Sequence, residues 1–154
     1  MRTMLLSLKP DIYNQIATGK KIFEHRKVFP DEPIKAYIYI SRPVQAIAGV
    51  MILENKTPLE YWKNLFSFDK EAILRITDFM SRNKYAIQIK QFQDTNRIPL
   101  ALIKEIEPTF EIPQMYYFID ESNLLSYLEQ NLFPQGDLIS NDFLEITSDM
   151  VCRY

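Results

Sequence analysis

The chain is nearly without cysteine and histidine: Cys152 and His25 are the only ones among its 154 residues. A single thiol cannot close an internal disulfide, and one imidazole with no second thiol makes no Cys/His set for zinc, so no metal and no other cofactor is expected. Hydrophobic runs are short as well. None approaches the roughly 18 residues that cross a bilayer, and the opening MRTMLLSLKPD holds too brief an apolar stretch for a secretory signal. These absences predict a cytoplasmic protein with no membrane partner. Glycine is scarce, and no Gly/Ser linker, internal repeat or low-complexity tract interrupts the chain. An excess of basic charge is missing too: the net charge of −2 excludes a surface coated uniformly with Lys and Arg for non-specific nucleic-acid binding.

What is present is a globular composition, 47% hydrophobic and 25% charged, with apolar material enough for a substantial core. The length suits one domain, since most domains run roughly 100–200 residues. Charge is unevenly spread: residues 1–119 hold 17 Lys+Arg against 13 Asp+Glu, whereas 120–154 hold one Arg against seven acids. A weakly basic body can still meet a phosphate chain in one local groove.

The apolar run MLLSL at 4–8 suits a buried strand, and PDIYNQIATG follows with Pro10 at a helix start, Ile12, Tyr13 and Ile16 on one face, and Gly19 as a left-handed stop. Alternating polarity marks a strand from Lys21 or Ile22, and KAYIYIS at 35–41, QAIAGVMIL at 45–53 and KYAIQIKQF at 84–92 are three more. Between the last two, Thr57, Pro58 and Glu60 form a capping-box pattern that predicts a helix over TPLEYWKNLF. A second helix from about Asp69 places Ala72, Ile73, Ile76, Phe79 and Met80 on one stripe, which is core material. RIPLALIKEIEP reads as irregular, PQMYYFID as an aromatic segment, and 121–133 as a helix followed by an acidic tail. Short strands outnumber helices without steady β-α alternation, so an α+β domain with a curled, mostly antiparallel sheet is expected.

Four Lys/Arg side chains, a carboxylate and the only histidine concentrate in GKKIFEHRK at 19–27. On a regular strand Ile22, Glu24, Arg26 and Val28 share one face, and Phe23, His25 and Lys27 the other. An exposed strand can carry such charges freely, but its Glu24/Arg26 pair contributes only about 0–1 kcal/mol there. In a concave, partly dry site the same arginine offers a fixed fork of donors to a phosphate, and the glutamate accepts from an exocyclic amine. His25, on the opposite face, reads as a structural or surface residue.

LLSLKP at 5–10, the short helix ending in Gly19, the G-x-K-x-x-E-x-R pattern of Gly19, Lys21, Glu24 and Arg26, and YIYISRPVQAIAG at 37–49 occur in the order that resembles the ASCH domains of the PUA-like superfamily. KYAIQIKQF, IPLALIKEI and PQMYYFI agree with it, and the likeness spans about residues 3–119. The resemblance implies a PUA-like β-barrel over 1–119 with flanking helices, and 120–154 becomes a helical acidic extension expected to pack on the same domain. It also implies a polar cleft that binds RNA or a modified nucleoside or nucleotide, with a role in RNA metabolism or transcriptional regulation. Lys9, Lys20, Lys21 and Arg26 would hold phosphates, and Glu24, Ser41 and Tyr39 would meet a base. The alternative is an amidohydrolase acting on a modified nucleoside such as N4-acetylcytidine, with Lys21 and Glu24 as catalytic candidates. Those hydrolases carry a nucleophilic threonine where this chain has Glu24, and a carboxylate there is expected to raise the Lys21 pKa. A third reading, a protein-interaction or regulatory module, rests on the acidic extension.

Overall fold

A computed structural model describes all 154 residues. The chain runs β1 (Arg2–Leu8), α1 (Pro10–Ala17), β2 (Phe23–Arg26), β3 (Ile34–Ile40), β4 (Ala46–Pro58), α2 (Leu59–Leu65), α3 (Lys70–Met80), β5 (Tyr85–Gln93), β6 (Ile98–Pro99), α4 (Leu100–Ile106), β7 (Tyr116–Phe118), α5 (Asn123–Asn131) and β8 (Ile139–Ser140), and then a 3₁₀ turn at Ser148–Met150. The strands form one sheet in the order β2-β5-β4-β3-β1-β7, with β6 on β4 and β8 on β5. Only β1 and β3 run parallel, so a crossover must join them, and α1 lies in that connection. All other pairings are antiparallel. The result is the α+β, PUA-like architecture: a curled half-barrel flanked by five helices. No helix is long and apolar enough to cross a membrane.

Strand β1 is buried on both faces, and its alternation sorts side chains between two cores. Met4, Leu6 and Leu8 join Tyr13 and Ile16 of α1 in the main cluster, whereas Leu5 joins Ile103 of α4 and Leu124 and Leu128 of α5 on the other side. A third cluster gathers Phe23, Trp62, Phe66, Ala72, Ile76 and Ala86 under α2 and α3, and it includes Val151 and Cys152 from the far end of the chain. Each buried Leu, Ile or Phe contributes about 1.5–3 kcal/mol.

Two local expectations are corrected. Thr57 makes no helix cap: it pairs with Ala86 as the last part of β4, and its hydroxyl donates to the Asn55 carbonyl. Helix α2 starts after it, at Leu59, whose amide donates to the Lys84 carbonyl, so the sheet supplies an acceptor that the cap was expected to supply. Within 97–108, Ile98 and Pro99 pair briefly with β4 and the chain then turns into α4. Pro99 lacks the amide needed to extend the strand, and Leu100 and Ile103 fall on one helical face against the second cluster.

The curl of the sheet is anchored at Gly49. Tyr37 opposes Val50 and Ile38 opposes Ala48, so Gly49 is an extra residue in β4, a bulge with φ +73°. The Tyr13 hydroxyl presses against it, so closely that an added Cβ would collide with the Tyr13 ring and its oxygen. That hydroxyl donates to Asp94 (2.6 Å), which also accepts from Arg97 (2.8 Å), and the Gly49 amide donates to the Thr95 hydroxyl (2.7 Å). Gly49→Ala is therefore expected to cost about 2–4 kcal/mol, from left-handed strain plus overpacking. Gly136→Ala, at φ +70° in open space, should cost only about 1–2 kcal/mol. Denaturant midpoints of the two variants check this difference.

Candidate functional site

Helix α1 ends at Gly19, whose φ of +79° reverses the chain. The Gln15 carbonyl then accepts from the amides of both Lys20 and Lys21 (2.9 Å each), which folds Lys21 back against the last turn of the helix. Strand β2 follows, with Phe23 opposite Gln88, Glu24 opposite Ile87, His25 opposite Ala86 and Arg26 opposite Tyr85. Directly opposed residues share a face. Ile87 belongs to the main core and Ala86 to the third cluster, so Glu24 and Arg26 face the barrel side while Phe23 and His25 face α2 and α3. Phe23 packs edge-on against Trp62 and His25 edge-on against Phe79.

The barrel-side face holds a buried charge cluster. Lys21 and Glu24 are each only 5% exposed. Lys21 Nζ lies 3.8 Å from one Glu24 carboxylate oxygen and Arg26 Nη2 lies 3.4 Å from the other. The His25 amide also donates to Glu24 (3.1 Å). Two cations thus share one carboxylate, and Arg26 Nε is buried with no partner. Burial holds the Lys21 ammonium below its ordinary pKa; Glu24 opposes that shift and Arg26 adds to it. The expectation that Glu24 would raise this lysine is corrected here: desolvation outweighs the single carboxylate, which Arg26 shares.

The remaining expected residues lie around or away from this cluster. Lys20 is exposed at the rim of a cavity of about 220 Å³ between the α1–β2 turn and the last residues of the chain. Lys9 is exposed at the N-cap of α1, and Ser41 sits beside it, its amide bonded to the Leu8 carbonyl. The eight residues of α1 separate these two from Lys21 by roughly 12 Å of helix. Tyr39 points to the opposite side of the sheet, into the second cluster near Phe110.

The sequence reading misses one group altogether. Arg75 of α3 donates to the carbonyls of Ser148 (2.7 Å) and Val151 (3.3 Å), and the Ser148 hydroxyl donates to Asp69 (2.7 Å). Phe143 packs at a tilt against Phe23, Val151 and Cys152 are buried, and Lys21 Nζ donates to the Tyr154 main-chain oxygen (3.0 Å). Burial pushes the Cys152 thiol up to about 12, so it is no nucleophile at neutral pH. These partners stand more than seventy residues apart, and no local pattern announces them.

His25 is half-buried, but both its ring nitrogens are buried and unpartnered, and burial, then the Lys21 charge, brings its pKa down to about 3 from 6.5. Between these values the unfolded chain binds a proton that the folded chain does not. Stability contributed by the neutral ring is therefore complete above the unfolded value and is lost as pH falls toward the folded one. His25→Phe should lose less stability than the parent over this window in denaturant titrations. The imidazole of the parent should still be neutral by NMR midway through it, and a charged ring there would refute the assignment.

No protein-family model matches the chain. An ASCH domain-containing ribonuclease from Zymomonas mobilis is 28% identical over 117 residues, covering 71% of this chain and 79% of that protein. The crystal structure of ASCH from the same bacterium matches with a TM-score of 0.65 at 23% identity, over 86% of this chain and 97% of that one. A tyrosine-to-phenylalanine variant of it matches at 0.64 and 22% identity, over 86% and 100%. The chain is thus similar in sequence, over most of both chains, to an ASCH domain-containing ribonuclease, and its half-barrel has the fold of the ASCH crystal structures.

Proposed function

We propose that the chain binds RNA, holding backbone phosphate at Lys21 and Arg26. The observation that carries this reading is the surplus of charge in the cluster: two cations for one carboxylate, largely out of water, with Arg26 Nε unpartnered. Such a cluster gains most from an added anion, and guanidinium and ammonium donors to phosphate are charge-assisted hydrogen bonds in a weakly screened setting. Glu24 orients both cations and keeps an acceptor for an exocyclic amine. Lys20 extends the contact at the rim, and Lys9 with Ser41 meets a neighbouring nucleotide beyond the other end of α1. RNA is favoured over a free modified nucleoside because the relative is named a ribonuclease. The acidic total of the chain keeps the contact local and of modest salt dependence.

A second reading, cleavage of the bound strand, is favoured by the relative's name together with the depressed Lys21 pKa. A neutral Lys21 amine would take the proton of a ribose 2′-hydroxyl as that oxygen attacks phosphorus, and Arg26 would stabilise the charge as the 5′-oxygen leaves. Deacylation of a nucleoside has less support. Lys21 contacts Glu24 and a main-chain oxygen, and no hydroxyl nucleophile is bonded to it.

Fluorescence anisotropy with a labelled single-stranded RNA tests the binding. Arg26→Ala and Lys21→Met should each weaken affinity roughly tenfold, about 1.4 kcal/mol, and lower the salt slope by about one. Lys104→Ala, at an exposed position of α4, should change neither. Full affinity in both site variants would remove the cluster from the interface. Chromatography of the same RNA reports cleavage, which should vanish in Lys21→Met.

A further inference from the structure

We propose that the cavity beyond the end of β2, lined by Lys27 and Lys84, is a second nucleotide subsite, in which these two lysines hold the RNA phosphate next to the one at Arg26. The inference rests on the reading of Lys21 and Arg26 as phosphate contacts and lengthens that site by one nucleotide. The cavity measures about 490 Å³, within the range of roughly 300–1,000 Å³ that small-ligand pockets occupy, and Pro58, Glu60, Met80 and Asn83 complete its wall.

Both lysines are exposed, and neither pairs with a carboxylate of the protein. The lysines that do form ion pairs are Lys21, Lys56 and Lys90. Lys84 Nζ has only the Tyr85 ring beside it, 5.5 Å from the centroid, and the Lys27 ammonium has no partner. Glu60 is unpaired too, so the wall carries two cations against one carboxylate, the same ratio as in the buried cluster.

The main chain fixes these groups in place. The Arg26 carbonyl accepts from the Lys84 amide (3.1 Å), and the Lys84 carbonyl accepts from the Leu59 amide (2.9 Å), which pins Lys84 between β2 and the start of α2. Asn83 is held in turn, since its amide (2.9 Å) and its side-chain nitrogen (3.3 Å) both donate to the Phe79 carbonyl in the last turn of α3. That leaves the Asn83 side-chain oxygen as an acceptor for a base amine. Lys27 follows Arg26 directly, and successive residues of a strand point to opposite faces. Their arms therefore diverge around the end of β2 and suit two successive phosphates better than one. Pro58 and Met80 supply an apolar surface for the base between them.

The experiment is RNA anisotropy on the full chain carrying Lys27→Ala with Lys84→Ala, set against Lys70→Ala with Lys104→Ala, which removes equal charge from exposed positions of α3 and α4. The first pair should bind roughly tenfold more weakly and lower the salt slope by about one, and the second should match the parent. Equal losses in both pairs would reduce the effect to net charge and overturn the subsite. Full affinity of the first pair, with the Arg26→Ala loss intact, also overturns it and leaves the Lys21 and Arg26 site standing. Absence of binding by the parent chain overturns both readings. Methyl NMR on the parent needs no substitution: saturating RNA should shift the Met80 methyl signal, and an unmoved Met80 overturns the proposal.

Discussion

A carboxylate taken out of water needs cations at fixed positions, and Glu24 imposes this constraint on its surroundings. Removing an ion from water costs several kcal/mol even after relaxation, and its partners offset that only when their geometry is held. Lys21 and Arg26 are held by main-chain structure: the Gly19 reversal with the Gln15 carbonyl fixes the first, and pairing with β5 fixes the second. The same arrangement leaves positive charge in excess.

Packing and site chemistry are coupled through β2. One face of this short strand carries the charged cluster, and the other carries Phe23 and His25 into the third hydrophobic cluster. That cluster is completed by the end of the chain, so burying Val151 and Cys152 also delivers the Tyr154 main-chain oxygen to Lys21. Hydrophobic burial supplies the stability and, in doing so, determines what first meets the lysine. The Gly49 bulge and the Tyr13–Asp94–Arg97 network act on the same assembly from the other side, since they seat α1, whose last turn presents Lys21.

Much of this was legible in the residues. Short apolar runs and alternation located β1, β3, β4 and β5, and the stripe from Ala72 to Met80 located α3, because side-chain period follows backbone geometry directly. Glu24 and Arg26 were correctly placed on one face and His25 on the other by the same rule. Failures occurred where a remote segment competed with a local signal. Thr57 has the residue pattern of a helix cap, but β5 claims its backbone first. The 97–108 segment is helical because the second cluster offers a surface for Leu100 and Ile103.

By itself, then, the sequence determined the type of most elements, the face on which each side chain of β2 stands, and the motif order that resembles the ASCH domains. Tertiary structure alone decided that Lys21 is buried enough for desolvation to outweigh Glu24, that eight residues of helix stand between Lys21 and the pair Lys9 and Ser41, and that Lys21 meets the main chain of Tyr154. The division has a physical cause. Periodicity and turn chemistry act over a few neighbouring bonds and can be read locally, whereas dielectric environment and contacts between Lys21 and Tyr154, 133 residues apart, exist only once the chain has folded.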